Sequence, residues 1–302
     1  ESNVSTAIAI GNFDAVHLGH VALVEVAREH VGSGGRVVMW SFDPSPVSVL
    51  KPDVHIERVT TFSQRCTLLM DAGADEVRRI EPTPELLALE PEDYIARITA
   101  EVSPTFFVEG AGFRFGHKRG GTIQTLCTLG EKYHFEVLEV PPVSVVLEGK
   151  EVKASSSMVR QLLNEGRMQD VSCMLGRPYE LSGTVIQGDG RGRTLGIPTA
   201  NLGTIETMLP REGIYAGTAT VDDVPYIAAV SVGTKPTFGE HELICEVHLI
   251  GFDGEIGLYD WPLTVTISHW IREQITFESI EELTIAIQQD IQVAIKNIES
   301  NT

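Results

Sequence analysis

At 302 residues, 42% of them hydrophobic, the chain is long enough for one large domain or two ordinary ones with real buried cores. Its formal net charge of −19 opposes a nucleic-acid backbone, so no nucleic-acid partner is expected, although a few arginines and backbone N–H groups can still hold a small phosphate ligand. No apolar run reaches about 18 residues, which excludes a membrane-spanning helix.

The first half alternates two kinds of segment. Residues 7–10 are an apolar stretch that reads as a buried strand, and a helix follows from near His17. Residues 37–42 read as a second strand, ended by Asp43-Pro44. Residues 61–72 have helical spacing with Gly73 as a stop, and 91–102 form another amphipathic helix. Residues 105–108 and 135–140 read as further strands. Strands separated by helices predict a parallel sheet covered on both faces. The stretch 158–175 is helical but interrupted by Asn164-Glu165-Gly166, which predicts two short helices. Beyond Tyr179 come short β-rich runs at 181–187, 213–221, 226–232, 245–251 and 263–269, punctuated by Gly, Pro and Asp. They predict a small antiparallel barrel or sandwich. A long amphipathic helix, 279–299, closes the chain, and a domain boundary is expected near 175–180.

Residues 11–20 read GNFDAVHLGH. The two histidines, His17 and His20, share a helix face, which allows metal binding. They also allow a purely structural role. A third possibility is phosphate chemistry at the positive end of the helix, where Gly19 lets a phosphate approach the backbone and imidazoles stabilise charge on a transferring nucleotidyl group. The preceding strand and the Gly11-Asn12-Phe13-Asp14 turn favour phosphate. No nearby Cys, Asp or Glu completes a metal set. Four cysteines (Cys66, Cys127, Cys173, Cys245) lie scattered without C-x-x-C spacing, as free thiols in a reducing cytoplasm would. The start of the sequence lacks a basic segment followed by a long apolar one, so no signal peptide is expected.

In the second half, GDGRGRTLG at 188–196 carries four glycines, Gly188, Gly190, Gly192 and Gly196, with Arg193 among them. This is either a phosphate cradle or a flexible hairpin loop. Thr199 and Asn201 offer neutral oxygens that suit magnesium already bridging phosphates, or form a capped turn. Glu246 interrupts the apolar run ICEVHLI, facing solvent by alternation or placed for chemistry.

These motifs carry a resemblance. GNFDAVHLGH resembles the H-x-G-H signature of the nucleotidyltransferase superfamily, and in particular that of the prokaryotic bifunctional FAD synthetases, which join a riboflavin kinase to an FMN adenylyltransferase. FDPSP at 42–46, FRFGHKRGG at 113–121 and SSSMVRQLLNEG at 155–166 follow in the family's order. LGRPYELSGTVIQGDGRGRTLGIPTANL at 175–202 is similar to the opening of the kinase module, continued by GIYAG, VGTKPTFG and EVHLIGFDG up to residue 254. The resemblance implies a doubly wound α/β nucleotidyltransferase (Rossmann-like) domain over 1–176, then a six-stranded antiparallel β-barrel kinase with a C-terminal helix over 177–302. It implies riboflavin, FMN and ATP as substrates, with magnesium held by Thr199 and Asn201. Glu246 is then the base for the ribityl hydroxyl, and His17 and His20 stabilise adenylyl transfer. Gly11, Asn12, Phe13, Asp14 and Gly19, the anion site of Ser155, Ser156 and Arg160, and the Gly188–Gly196 loop with Arg193 hold ATP and its phosphates. Phe115 and Arg272 contact flavin. Read alone, the two serines also suit a helix cap, and Arg160 and Arg272 suit solvated surface charges.

Five positions depart from the family pattern: Ala15 where Gly is usual, Ser45 for His, Gly112 for Asp or Asn, Thr122 for Asp, and Met158 for a polar or basic residue. Ala15 is expected to be tolerable unless the turn requires positive φ. Ser45 and Gly112 remove side chains that could hold flavin or nucleotide. The resemblance therefore implies a bifunctional enzyme, with a monofunctional kinase carrying a degenerate N-terminal domain, or a non-catalytic flavin-binding protein, as the alternatives.

Overall fold

In a computed structural model, which describes residues 4–187, 197, 199–237, 240–253 and 259–300, the chain divides into two compact units, residues 1–156 and 157–302. The first runs β1 (Thr6–Gly11), α1 (Leu18–Val31), β2 (Arg36–Phe42), α2 (Pro46–Leu50), α3 (Phe62–Asp71), β3 (Glu76–Ile80), α4 (Pro84–Leu87), α5 (Pro91–Val102), β4 (Phe106–Gly110), α6 (Ile123–Tyr133), β5 (Glu136–Val140) and a hairpin of β6 (Ser144–Leu147) with β7 (Lys150–Lys153).

All pairings in the five-stranded sheet β3-β2-β1-β4-β5 are parallel. The central strand β1 is apolar throughout because both its faces are covered. Ala7 and Ala9 meet Val24 and Ala27 of α1 and Leu69 of α3 on one face. Ile8 and Ile10 meet Tyr94, Ile95 and Ile98 of α5 and Leu126 of α6 on the other. The doubly wound expectation holds. β3 and the β6–β7 hairpin are additions to the strands read from sequence.

The strand order reverses at β1. It pairs with β2 over six residues, Thr6 to Gly11, but with β4 only at Ala7↔Phe106 and Ile8↔Phe107. Beyond that point Glu109 of β4 replaces the ladder: its Oε1 accepts from the Ile10 N–H at 2.7 Å. The carboxyl ends of β1 and β4 therefore separate, which is where open α/β sheets admit ligands.

The second unit opens with α7 (Ser156–Glu165), whose first residue belongs to the first unit, and α8 (Met168–Leu175), the two short helices the interruption at 164–166 predicts. The compact units thus divide at 156/157, while the motif-based boundary is 176/177. Six strands follow: β8 (Tyr179–Ile186), β9 (Ala200–Gly203), β10 (Gly213–Val221), β11 (Val224–Thr237), β12 (Glu240–Leu249) and β13 (Pro262–Arg272). They close into an antiparallel barrel, β10-β11-β12-β9-β8-β13, rather than a sandwich. The helix α9 (Ile280–Glu299) packs on β10, β11 and β13. Its N-terminus is capped by Ser279, which accepts from the Glu282 N–H.

Candidate active sites

The turn between β1 and α1 is built around Asp14. Its carboxylate, 8% exposed, accepts from the N–H groups of Ala15, Val59 and Thr60 and from the Thr60 hydroxyl, all at 2.9–3.1 Å. The Ser156 hydroxyl donates to the Asp14 carbonyl at 2.7 Å. Three residues of the turn take positive φ, Phe13 (48°), Ala15 (74°) and Val16 (43°). Such positions cost of order 1–3 kcal/mol each and persist only where the surroundings dictate them. The turn does require positive φ at Ala15, the condition under which a residue other than Gly is strained there.

His17 caps α1: its Nδ1 accepts from the Gly19 N–H at 3.1 Å. That bond assigns the proton of the neutral ring to Nε2, leaving a donor of the kind an anionic phosphate oxygen accepts from. Glycine at 19 leaves room for this contact, since a Cβ there would lie 3.0 Å from the His17 ring, closer than ordinary van der Waals contact. The His17 and His20 rings stack with centroids 3.7 Å apart, and Phe13 meets His20 edge-on at 5.2 Å. Gly11, Asn12, Phe13, Asp14, His17, Gly19, His20 and Ser156 therefore form one constellation at the open end of β1. Ser155 lies in the same unit, and Arg160 stands on α7 in the other.

Sequence reasoning missed the clamp behind this turn. Arg65 of α3 is 4% exposed, and its guanidinium donates to Asn12 O (2.8 Å), Ser41 Oγ (3.0 Å), Phe42 O (2.8 Å) and Asp43 Oδ1 (2.7 Å). A capping box of Thr61 with Gln64 fixes the start of α3 and with it the register of Arg65. The one usable signal was an arginine on the apolar side of a helix.

The departures acquire local explanations. Ser45 stands at the N-cap position of α2 without a side-chain capping bond, and its Oγ instead accepts from Asn12 Nδ2 at 3.2 Å. Thr122 caps α6 by accepting from the Thr125 N–H, a task Asp performs equally well. A Cβ on Gly112 would meet nothing within 4 Å, so space for a larger residue exists. Met158 is half-buried on α7. Phe115 is 5% exposed, stacked on Phe113 at 5.4 Å within the α5–α6 core, so little of its ring faces outward.

In the barrel, strand register does what spacing alone does not reveal. Glu246 of β12 stands directly opposite Asn201 of β9 on one side and Ser231 of β11 on the other. Directly opposed residues share a face, with Cβ atoms about 4.5–5.5 Å apart. Their neighbours Cys245, Val247, Ala200, Leu202, Val230 and Val232 are all buried inside the barrel. The Cys245 thiol is pushed up to about 12, mainly by that burial and further by the Glu246 charge. Glu246, Asn201 and Ser231 consequently lie on the outer face and half-exposed, with Thr199 just before β9. Gln274 donates to Ser231 Oγ at 2.8 Å. Arg272 makes a bidentate pair with Asp290 of α9 at 2.8 and 2.6 Å and donates to Glu273 O. These bonds tie β13 to the C-terminal helix. Gly188, Gly190, Gly192, Arg193 and Gly196 lie outside the described residues.

Residues 1–157 match the family described as FAD synthetase, and residues 175–298 the family described as riboflavin kinase. Proteins named bifunctional riboflavin kinase/FMN adenylyltransferase are similar along their length. That of Buchnera aphidicola from Acyrthosiphon pisum is 32% identical, covering 100% of this chain and 96% of its own. That of Escherichia coli K12 is 31% identical, covering 94% and 90%. A crystal structure described as a macrolide-efflux protein from Streptococcus pneumoniae aligns with a TM-score of 0.87 at 28% identity, covering 97% of this chain and 95% of that one. Among the described residues, no helix is long and apolar enough to cross a membrane.

Proposed function

The chain belongs to the bifunctional riboflavin kinase/FMN adenylyltransferase family, and from that premise we propose how its two units divide the work. The barrel unit phosphorylates riboflavin to FMN, and the α/β unit joins FMN to the adenylyl group of ATP to give FAD. The observation that carries the division is the presence of two separate constellations, His17–His20 at the open end of β1 and Glu246–Asn201 on neighbouring barrel strands.

In the kinase, the Glu246 carboxylate takes the proton of the terminal ribityl hydroxyl while that oxygen attacks the γ-phosphorus and ADP leaves. In the transferase, an FMN phosphate oxygen attacks the α-phosphorus and pyrophosphate leaves. His17 and His20 donate to the oxygens on which charge develops. The Ser156 bond to Asp14 and the four donors on the Asp14 carboxylate hold the turn to the shape this demands.

Magnesium fits the donor chemistry of the barrel site. Among the described residues there is no group of three or more His, Cys, Asp or Glu that could hold a metal ion. Thr199 and Asn201 supply neutral oxygens, which suit an ion carried mainly by ATP phosphates. When bound, the ion neutralises charge on the transferring phosphates. The chain's four free cysteines support placing both activities in the cytoplasm.

The test is incubation with riboflavin, ATP and magnesium, followed by chromatographic separation of riboflavin, FMN and FAD. Both products are expected, and both should vanish with excess chelator. FMN without FAD at millimolar substrate would reduce the reading to the monofunctional kinase. Tight riboflavin binding with no product would reduce it to a flavin carrier.

A further inference from the structure

The geometry points to Arg65 as a positioning residue for adenylyl transfer, acting through the β1–α1 turn and the loop that follows β2. This rests on the transferase reading above. The guanidinium directs its donors to the two loops at the open end of the sheet. Its hydrogen-bond partners all lie outside α3. Nη1 holds the Asn12 carbonyl at the start of the turn and, at the end of β2, the Ser41 hydroxyl and the Phe42 carbonyl; Nη2 holds the Asp43 carboxylate. Ser41 closes a triangle by donating to the same Asn12 carbonyl at 3.1 Å. From the other side, the Asn12 side chain reaches Ser45. Both loops at the open end of the sheet are thereby joined through one planar fork. A second arginine, Arg79, stacks over Phe62 at 4.2 Å and lies 3.4 Å from Asp43, holding that carboxylate from the solvent side.

Stability alone explains this poorly. Side-chain exposure in the Arg65–Asp43 pair is 5% and 13%, and burying an ion pair carries a desolvation cost that a packed apolar side chain avoids. What the fork supplies is fixed distance and angle at four acceptors, which the three donors of a lysine ammonium cannot reproduce. His17 sits five residues beyond Asn12 on the same strained turn, so slack at Asn12 moves the imidazoles relative to the reacting phosphorus. A misplacement of about 1 Å costs of order 10²-fold in rate.

The experiment compares the full-length chain with Arg65→Lys, Ser41→Ala and the double variant, measuring both FMN to FAD and riboflavin to FMN per folded molecule. Arg65→Lys should lower kcat for FAD formation by about 10²-fold, with the KM for FMN and ATP changed by only a few-fold. Riboflavin phosphorylation, in the other unit, should be unchanged. Ser41→Ala removes one arm of the triangle and should cost several-fold in the same kcat. The double variant should be less impaired than the product of the two effects, because both act through Asn12. A purely structural clamp would lower the unfolding midpoint and leave kcat per folded molecule at the parental value, and that result overturns the proposal. If Arg65→Lys does not fold, a parental kcat in Ser41→Ala overturns it just as well. A parent chain that makes no FAD overturns the transferase reading itself, and this proposal with it.

Discussion

Glu109 should make the α/β unit lose stability as pH rises, and Glu109→Gln should remove that loss. The side chain is 2% exposed, between the separating ends of β1 and β4. Burial drives its carboxyl well above the ordinary value of 4.5, and the Ile10 N–H pulls it back only in part. Tyr94 of α5 lies on the same side of the sheet, and its hydroxyl is pushed up by its own burial and then by the Glu109 charge. With the folded value raised, the stabilising contribution is complete below about 4.5, the value in the unfolded chain. It is lost as pH climbs toward the folded value, because the unfolded chain releases a proton the folded chain retains. The loss is about 1.4 kcal/mol per pH unit over that window. Glutamine keeps an oxygen for the Ile10 N–H and has no proton to lose. Urea titrations from pH 5 upward, read by hydrogen exchange of the β1 segment against barrel segments as internal reference, measure the difference. The gap between variant and parent should widen by about 1.4 kcal/mol per unit until the folded value is passed. Parallel pH profiles for the two proteins would refute the reasoning.

Ala15→Gly should change stability by no more than about 1 kcal/mol despite the strain at φ 74°. Relief of about 1–2 kcal/mol is offset by about 0.8 kcal/mol for a buried methyl and about 0.5–1 kcal/mol for the freer unfolded backbone. A shift of the urea-derived stability beyond about 2 kcal/mol in either direction contradicts that balance. Arg272→Met should destabilise the barrel by roughly 2–4 kcal/mol, because it leaves Asp290, 6% exposed, as a nearly buried unpaired carboxylate. Arg272→Met with Asp290→Leu should recover most of the loss. If the KM for riboflavin stays raised in that stabilised double variant, Arg272 also contacts flavin; if it returns to the parental value, the role is the tie to α9 alone.

What the sequence made legible follows from burial. The strands at 7–10 and 37–42 are apolar throughout because both faces are covered, and such runs announce themselves. β3, sequence Glu-Val-Arg-Arg-Ile, lies at the sheet edge, where its arginines reach Glu76, Trp40 and Asp43, and no apolar pattern marks it. β9 is four residues long and reads as a turn until its pairing with β8 and β12 is seen. Individual site residues were readable where chemistry is concentrated, as in His17 and His20. The clamp of Arg65 on Asn12 and Asp43 spans 53 and 22 residues of chain, and no local pattern encodes it. The positive φ at Phe13 and Val16 was equally hidden, since both residues normally avoid that region.

The central claim is that one chain carries two separable chemistries, and reciprocal variants test it most directly. Glu246→Gln and the pair His17→Ala with His20→Ala are each given riboflavin with ATP and magnesium, and separately FMN with ATP and magnesium. Glu246→Gln should form FMN at least about 10²-fold more slowly yet convert supplied FMN to FAD at the parental rate. The histidine pair should phosphorylate riboflavin at the parental rate and lose FAD formation by about 10² or more. Loss of both activities in either variant, or of neither in both, would contradict the account.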